Sequence, residues 1–71
     1  NNFDNKLRAL HEGITDKEIR LAAFLRMNLT TKEIAAMFNV IPTSILTSKY
    51  RLKKKLGLNK ETDLTEFLNT L

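Results

Sequence analysis

The 71-residue sequence contains no cysteine, one proline and only two glycines. Without cysteine it can form neither disulfide bonds nor thiolate metal sites, so its stability must come from a small hydrophobic core. No apolar run approaches the ~18 residues that a membrane-spanning helix requires, and no signal-peptide pattern opens the chain. The scarcity of glycine and proline, and the absence of alternating β-branched residues, predict an all-α fold with short connections.

The residue sets that catalysis requires are also missing. There is no serine–histidine–aspartate set, no glycine-rich phosphate loop and no carboxylate pair that shares a face with lysine or histidine. The single histidine, His11, has no further metal ligands placed near it. We therefore predict no enzymatic activity, no metal, no cofactor and no small-molecule substrate. The chain begins at Asn1 rather than at methionine, and we expect it to be part of a longer protein.

Acidic residues are absent from the segment between Ile34 and Lys60, although the chain as a whole has 8 of them. The cations of that segment are Lys49, Arg51, Lys53, Lys54, Lys55 and Lys60. Because the net charge is only +4, the uneven placement of charge is more informative than the total. A basic surface of this kind favours a polyanionic partner such as duplex DNA.

Start and stop signals divide the chain into five predicted helices, at positions 3–11, 15 to about 28, 31–38, 42–56 and about 61–70. Thr15 with Glu18, and Thr30 with Glu33, form capping boxes that satisfy the first free amides of a helix. The predicted helix ends lie at Asn28, Asn39 and Gly57, residues that tolerate a left-handed backbone, and Pro42 suits a first helical turn. We assign residues 1–13 to a helix or linker remnant and residues 14–71 to the main domain.

The spacing within residues 31–50 satisfies the requirements of a helix-turn-helix motif. Ala35 is the small residue needed where the second helix crosses closely, and Asn39 can adopt the positive φ of the turn. The apolar residues that would lock the two helices together are Ile34, Phe38, Val40 and Ile45. An ordinary hairpin of two helices within a bundle is the alternative.

A helical wheel of about 100° per residue gives the helix at 42–56 two opposite faces. Ile45, Leu52 and Leu56 form the face that we predict to be buried. The opposite face and its flanks carry Thr43, Leu46, Thr47, Tyr50, Arg51, Lys53 and Lys54. Short side chains can approach base edges in a groove, and long cations can reach phosphates. The lysines equally suit a solvated helix C-terminus, where they complement the helix dipole.

Four groups of residues occur at spacings typical of one known family: Ile14-Thr15 with Glu18, Lys32-Glu33-Ile34-Ala35, Ser44-Ile45 and Lys55-Leu56-Gly57-Leu58. In these residues the chain resembles the LuxR-type helix-turn-helix domain, over positions 14–68. The resemblance implies a tetra-helical DNA-binding domain, here with a short extra N-terminal helix. It implies a cytoplasmic output domain of a bacterial transcriptional regulator, of the response-regulator or sensor-regulator kind known from two-component systems. The partners it implies are double-stranded DNA, a second copy of the chain and RNA polymerase.

The resemblance and the wheel together assign site residues. Base contacts are predicted for Thr43, Leu46, Thr47 and Tyr50. Phosphate contacts are predicted for Thr31, Lys32, Lys49, Arg51, Lys53 and Lys54. The family often dimerises through its last helix, which implies an interface of Leu64, Phe67, Leu68 and Leu71.

Four residues depart from the family pattern. Asn28 replaces a glycine that a left-handed helix end favours, and Ile41 replaces a serine cap at a cost of about 1 kcal/mol. Leu46 replaces a polar or charged residue, and Ser48 replaces a histidine. Three of these departures fall on the predicted reading surface, so they affect sequence preference rather than fold.

Two other functions fit the sequence. The chain could be a helical protein-interaction module that docks a partner helix through Leu46 and the C-terminal leucines. It could also be the promoter-reading domain of a sigma factor, because that domain shares the helix-turn-helix motif. Binding to DNA that depends on the polymerase core would distinguish the sigma-factor interpretation.

Overall fold

The computed structural model describes residues 2–71, and within that range it contains five α-helices and no strand. The helices are α1 (Asn2–Leu10), α2 (Asp16–Arg26), α3 (Thr31–Phe38), α4 (Pro42–Lys55) and α5 (Leu64–Asn69). The predicted all-α class is confirmed. None of these helices has the length and apolar character needed to cross a membrane.

Capping boxes begin both α2 and α3, as predicted. The Thr15 hydroxyl accepts a hydrogen bond from the Glu18 amide at 3.1 Å, and the Glu18 carboxylate accepts one from the Thr15 amide at 2.9 Å. Thr30 and Glu33 make the same two bonds at 3.1 and 2.8 Å. These bonds satisfy amides that have no partner inside the helix, and they fix where each helix begins.

Three residues with a left-handed backbone follow the ends of α2, α3 and α4. Their φ angles are 61° at Asn28, 58° at Asn39 and 74° at Gly57, which confirms these predicted helix ends. α4 begins at Pro42, and the Ile41 side chain before it makes no capping hydrogen bond. Only residues 39–41 connect α3 to α4, and the two helices pack against each other.

The core is one cluster to which all five helices contribute, and its largest fully buried side chains are Leu7, Ile34, Leu52 and Leu68. Ile45 is buried as predicted, while Leu56 is half-buried and packs against the cluster. Val40 was expected to help lock α3 onto α4, but it is exposed. Phe38, another of the residues predicted to pack there, is half-buried, and its ring meets the Phe24 ring of α2 edge-on, with 5.6 Å between centroids.

α1 is part of this core. Phe3 and Leu7 are both buried in the cluster, and the Arg26 guanidinium of α2 lies 4.6 Å from the centroid of the Phe3 ring. An exposed ion pair of 2.6 Å also joins Arg8 to Asp16. The structure thus shows a helix where the sequence predicted a helix or a linker remnant, and the i, i+4 apolar pair of that helix packs into the core.

α5 is shorter than predicted, since it begins at Leu64 rather than near position 61. The Asn59 side-chain oxygen accepts hydrogen bonds from the amides of Glu61 and Thr62, each at 3.0 Å, and these hold the chain in a turn. The Asp63 carboxylate then accepts from the Glu66 amide at 3.1 Å and caps the helix. Local side-chain bonds thus compete with helix formation in this segment.

Candidate nucleic-acid interface

α4 buries one face and exposes the opposite one. The exposed residues opposite the buried Ile45 and Leu52 form what we call the outer face of α4: Thr43, Leu46, Thr47, Tyr50 and Lys54. This placement confirms the two-faced helix that the wheel predicts. Leu46 is 56% exposed and Tyr50 is 54% exposed, so two large side chains with much apolar surface stand in solvent on this face.

Hydroxyl groups on α4 are partly engaged by the helix itself. Thr47 Oγ1 donates to the Thr43 carbonyl at 3.3 Å, and Ser48 Oγ donates to the Ser44 carbonyl at 2.9 Å. A hydroxyl carries one hydrogen, so while these bonds persist both groups can only accept further hydrogen bonds. Such bonds to the carbonyl one turn back are a common alternative for serine and threonine inside helices.

Cations surround the outer face without acidic partners. Arg51 is exposed and Lys49 is half-buried, while the Lys54 ammonium lies 5.2 Å from the centroid of the Tyr50 ring. The Lys53 ammonium donates to the Lys60 carbonyl at 3.3 Å and keeps its charge. Within residues 2–71, none of these cations forms an ion pair with a carboxylate. Their positive charge is therefore available to an external polyanion.

The N-terminus of α3 carries the two remaining residues that were predicted to contact phosphates. Thr31 is half-buried and Lys32 is exposed, and the neighbouring Thr30 hydroxyl is occupied by its capping bond to the Glu33 amide. Free amides at a helix N-terminus favour an anion. Because α3 packs on α4, both helices present their cations from one structural unit.

An open groove of about 580 Å³ lies beside the C-terminal half of α4. Its lining residues are Tyr50, Lys53, Lys54, Leu58, Asn59 and Lys60. The groove therefore combines an aromatic and aliphatic surface with three ammonium groups. This is a suitable channel for an anionic backbone, whose sugars would contact the apolar surface and whose phosphates would contact the lysines.

Lys55 is the one basic residue of α4 that has an acidic partner. Its ammonium donates to the Glu18 carboxylate at 2.6 Å and to the Gly13 carbonyl at 3.0 Å. The two side chains are 31% and 18% exposed. Partial burial alone would raise the pKa of Glu18, but hydrogen bonds from Lys55 and Thr15 outweigh it and lower that pKa. The pair ties the end of α4 to the start of α2.

We expect Lys55→Met to lower the free energy of unfolding by about 1 kcal/mol at neutral pH. Because the Glu18 pKa is lowered by folding, the pair stabilises the protein above the ordinary carboxylate pKa and is lost as pH falls through the lowered value. Urea unfolding at about pH 7 and about pH 3 measures both effects. The variant should lose less stability on acidification than the unsubstituted chain. Lys6→Met on α1 is the control, and equal acid sensitivity of all three proteins would contradict the role of the pair.

Comparison of the chain with models of protein families, with curated proteins and with solved structures finds no match. The resemblance to the LuxR-type domain therefore stays a prediction from the residues quoted above. What the structure adds is the geometry of the outer face and of the cations around it.

Half of the predicted dimer interface lies in the core. Leu64 and Leu68 are buried, so in this conformation they cannot contact a second copy, and this corrects that part of the prediction. Phe67 and Leu71 are half-buried and pack against the same cluster. The physical reason is size, because a chain this short needs the single apolar stripe of α5 to complete its own core.

Proposed function

We propose that this chain is a helix-turn-helix domain of the LuxR type that binds double-stranded DNA sequence-specifically, as the output domain of a bacterial transcriptional regulator. α3, residues 39–41 and α4 form the motif, and α4 is the recognition helix. The observation that carries the proposal is the outer face of α4. It is exposed, it contains no carboxylate, and its surrounding cations have no acidic partner within residues 2–71.

The shape and charge of α4 suit the major groove, which is about 12 Å wide and admits one α-helix. The flanking cations Lys49, Arg51 and Lys53, together with Lys54, would neutralise phosphates on either side of the groove. Thr43, Leu46 and Thr47 have shorter side chains and would approach base edges. Contacts to phosphates supply affinity on any sequence, whereas contacts to base edges discriminate between sequences. Lys55 belongs to neither the phosphate-contacting nor the base-contacting residues, because its ammonium is paired with the Glu18 carboxylate.

Binding as a homodimer would place two α4 helices about 34 Å apart, one turn of the duplex, on paired half-sites. Of the residues predicted for dimerisation, Phe67 and Leu71 keep some exposed surface, and the buried Leu64 and Leu68 would hold α5 in place. A DNase footprint with two protected blocks, whose centres are one helical turn apart, would support this arrangement. A single protected block would indicate binding as a monomer.

The division between phosphate and base contacts is testable with two single substitutions. We expect Lys54→Ala to weaken binding to all duplexes by about fivefold at physiological salt, because one phosphate contact is lost. Thr47→Ala should instead change the preference at one base position, with an effect of about 1 kcal/mol there. Duplexes selected from a random pool and titrated by fluorescence anisotropy measure both results.

The control is Lys6→Ala, which removes a lysine from α1 and should leave DNA affinity unchanged. If both substitutions on α4 caused the same loss on every duplex, the division of roles would be wrong. If no duplex were bound, or if the complex did not respond to salt, the protein-interaction interpretation would replace ours. That interpretation is already weakened, since the burial of Leu64 and Leu68 removes half of the surface on which it depends.

A further inference from the structure

Four residues of the outer face lie close together on the surface of α4. Residues three and four positions apart are neighbours on the surface of a helix, so Leu46 and Thr47 lie beside Thr43. Tyr50 lies beside Leu46 and Thr47 for the same reason. We call these four residues the α4 patch. They all belong to the groups predicted to contact bases, and none of them is charged. The patch therefore offers a base pair methyl groups, an aromatic ring and a few hydroxyls.

Within residues 2–71, two of the four patch residues, Thr43 and Tyr50, have a hydroxyl that is not engaged in a hydrogen bond, and the other two offer a base no donor. Leu46 has no polar atom, and the Thr47 hydroxyl already donates its only hydrogen to the Thr43 carbonyl at 3.3 Å. The Lys54 ammonium lies at the edge of the patch, 5.2 Å from the centroid of the Tyr50 ring, and the proposed function assigns it to a phosphate rather than to a base. Recognition of guanine by two donated hydrogen bonds from an arginine or lysine is thus not what the patch provides.

Leu46 is the most informative member of the patch. It is 56% exposed in the free protein, although the face opposite the core is otherwise polar or basic. An exposed leucine gains free energy only when another apolar group covers it. In the major groove the C5-methyl group of thymine is the only apolar group that a base presents.

We infer that Leu46 and Thr47 bind the C5-methyl groups of thymine, so that this domain selects major-groove sites with thymine at the positions they reach. The inference rests on the proposed function, because it assumes that α4 enters the major groove. The positive charge of Arg51, Lys53 and Lys54 is what commits the apolar patch to DNA rather than to a protein. A protein partner would need acidic residues opposite all three cations in addition to an apolar pocket for Leu46.

The expected effect of one methyl group is about fourfold in affinity, the equivalent of about 0.8 kcal/mol for burying one methyl-sized group. Replacing a single contacted thymine by deoxyuridine removes that methyl and keeps every hydrogen-bonding atom of the base. Two such positions in one half-site would multiply to about 15-fold if they are independent. These losses are large enough to measure by anisotropy titration.

The experiment starts from duplexes that the protein enriches from a random 20-base-pair pool. One enriched duplex is resynthesised with deoxyuridine in place of each thymine in turn, and the affinity ratio of the thymine and uracil forms is measured. We expect a ratio of about four at one or two positions and about one elsewhere. Leu46→Ala should bring the ratio to about one at one of these positions. Leu10→Ala, the same substitution of an exposed leucine on α1, should leave the ratio at about four.

Thr47 provides a second pair of variants. The thymine-to-uracil ratio should fall in Thr47→Ser, which loses the methyl, and not in Thr47→Val, which loses the hydroxyl, whatever either change does to overall affinity. Both replacements are small changes at an exposed position, and circular dichroism checks that the helices are intact. A fall of the ratio in Thr47→Val alone would mean that the hydroxyl reads the base, and the inference would be overturned.

The outcomes separate this inference from the proposed function. If duplexes are bound in a salt-dependent manner but thymine and uracil forms bind equally at every position, the domain reads DNA without the methyl groups and the inference is wrong. If no duplex is enriched or bound, the proposed function itself is wrong. A ratio that is unaffected by Leu46→Ala and by Thr47→Ser would place the methyl contact on other residues and would equally overturn the inference.

Discussion

Leu7→Ala is expected to lower the free energy of unfolding by about 2–5 kcal/mol, the range for removing a fully buried leucine side chain. Leu7 lies on the short N-terminal helix α1 and is completely buried. A domain of this length has a total stability of about 4–10 kcal/mol. The substitution would therefore remove a large part of that stability, and a domain at the lower end of the range would be largely unfolded. Urea denaturation followed by circular dichroism gives the value.

The control is Leu10→Ala on the same helix. Leu10 is 51% exposed, so the same change of side chain removes much less buried surface and should cost well under 1 kcal/mol. The change of side chain is the same in both variants and leucine and alanine are both good helix formers, so the difference between the variants reports mainly burial. If the two substitutions had equally small effects, α1 would not contribute to the stability of the core.

The helices and their ends could be predicted because their signals are local. The capping boxes at Thr15 and Thr30 and the left-handed residues at Asn28 and Asn39 each act within about four residues, and the structure shows all of them where the sequence indicated. The buried face of α4 follows in the same way from helical periodicity. These features need no knowledge of which helices meet.

Features that depend on contacts between distant residues could not be predicted. Nothing in the sequence pairs Lys55 with Glu18, which belongs to a capping box, and Lys55 therefore looked like one more cation of the basic segment. The apolar stripe of α5 likewise gave no indication whether it would face the core or a second copy. Only its packing on α2 shows that Leu64 and Leu68 are needed inside.

Side-chain hydrogen bonds within α4 were also not predicted from the sequence. The Thr47 hydroxyl was expected to be available to a base, whereas it donates to the Thr43 carbonyl. The sequence does contain a signal for this, since serine and threonine in the interior of a helix often bond one turn back. That bond is the reason why the methyl group of Thr47, rather than its hydroxyl, takes part in the proposed readout.

The affinity for duplex DNA is expected to fall about 500-fold between about 50 and 200 mM monovalent salt, with a slope of log affinity against log salt near −4.5 for each subunit. The estimate counts one phosphate for each of the five cations of the predicted phosphate set: Lys32, Lys49, Arg51, Lys53 and Lys54. Each neutralised phosphate releases about 0.9 counterion from B-form DNA, and the release is less favourable when salt is already concentrated. Anisotropy titrations at four salt concentrations give the slope.

Two matched double variants show whether this slope comes from contacts or from overall charge. Arg51→Ala with Lys54→Ala removes one arginine and one lysine from α4, and should reduce the slope to about −2.7 and the affinity by about 30-fold at physiological salt. Lys6→Ala with Arg20→Ala removes the same residue types from α1 and α2, and should leave the slope near −4.5. Both pairs lower the net charge equally, so general attraction would affect them equally. An equal reduction of the slope in the two variants would mean that α4 does not lie against the phosphates, and the proposed orientation of the domain on DNA would then be wrong.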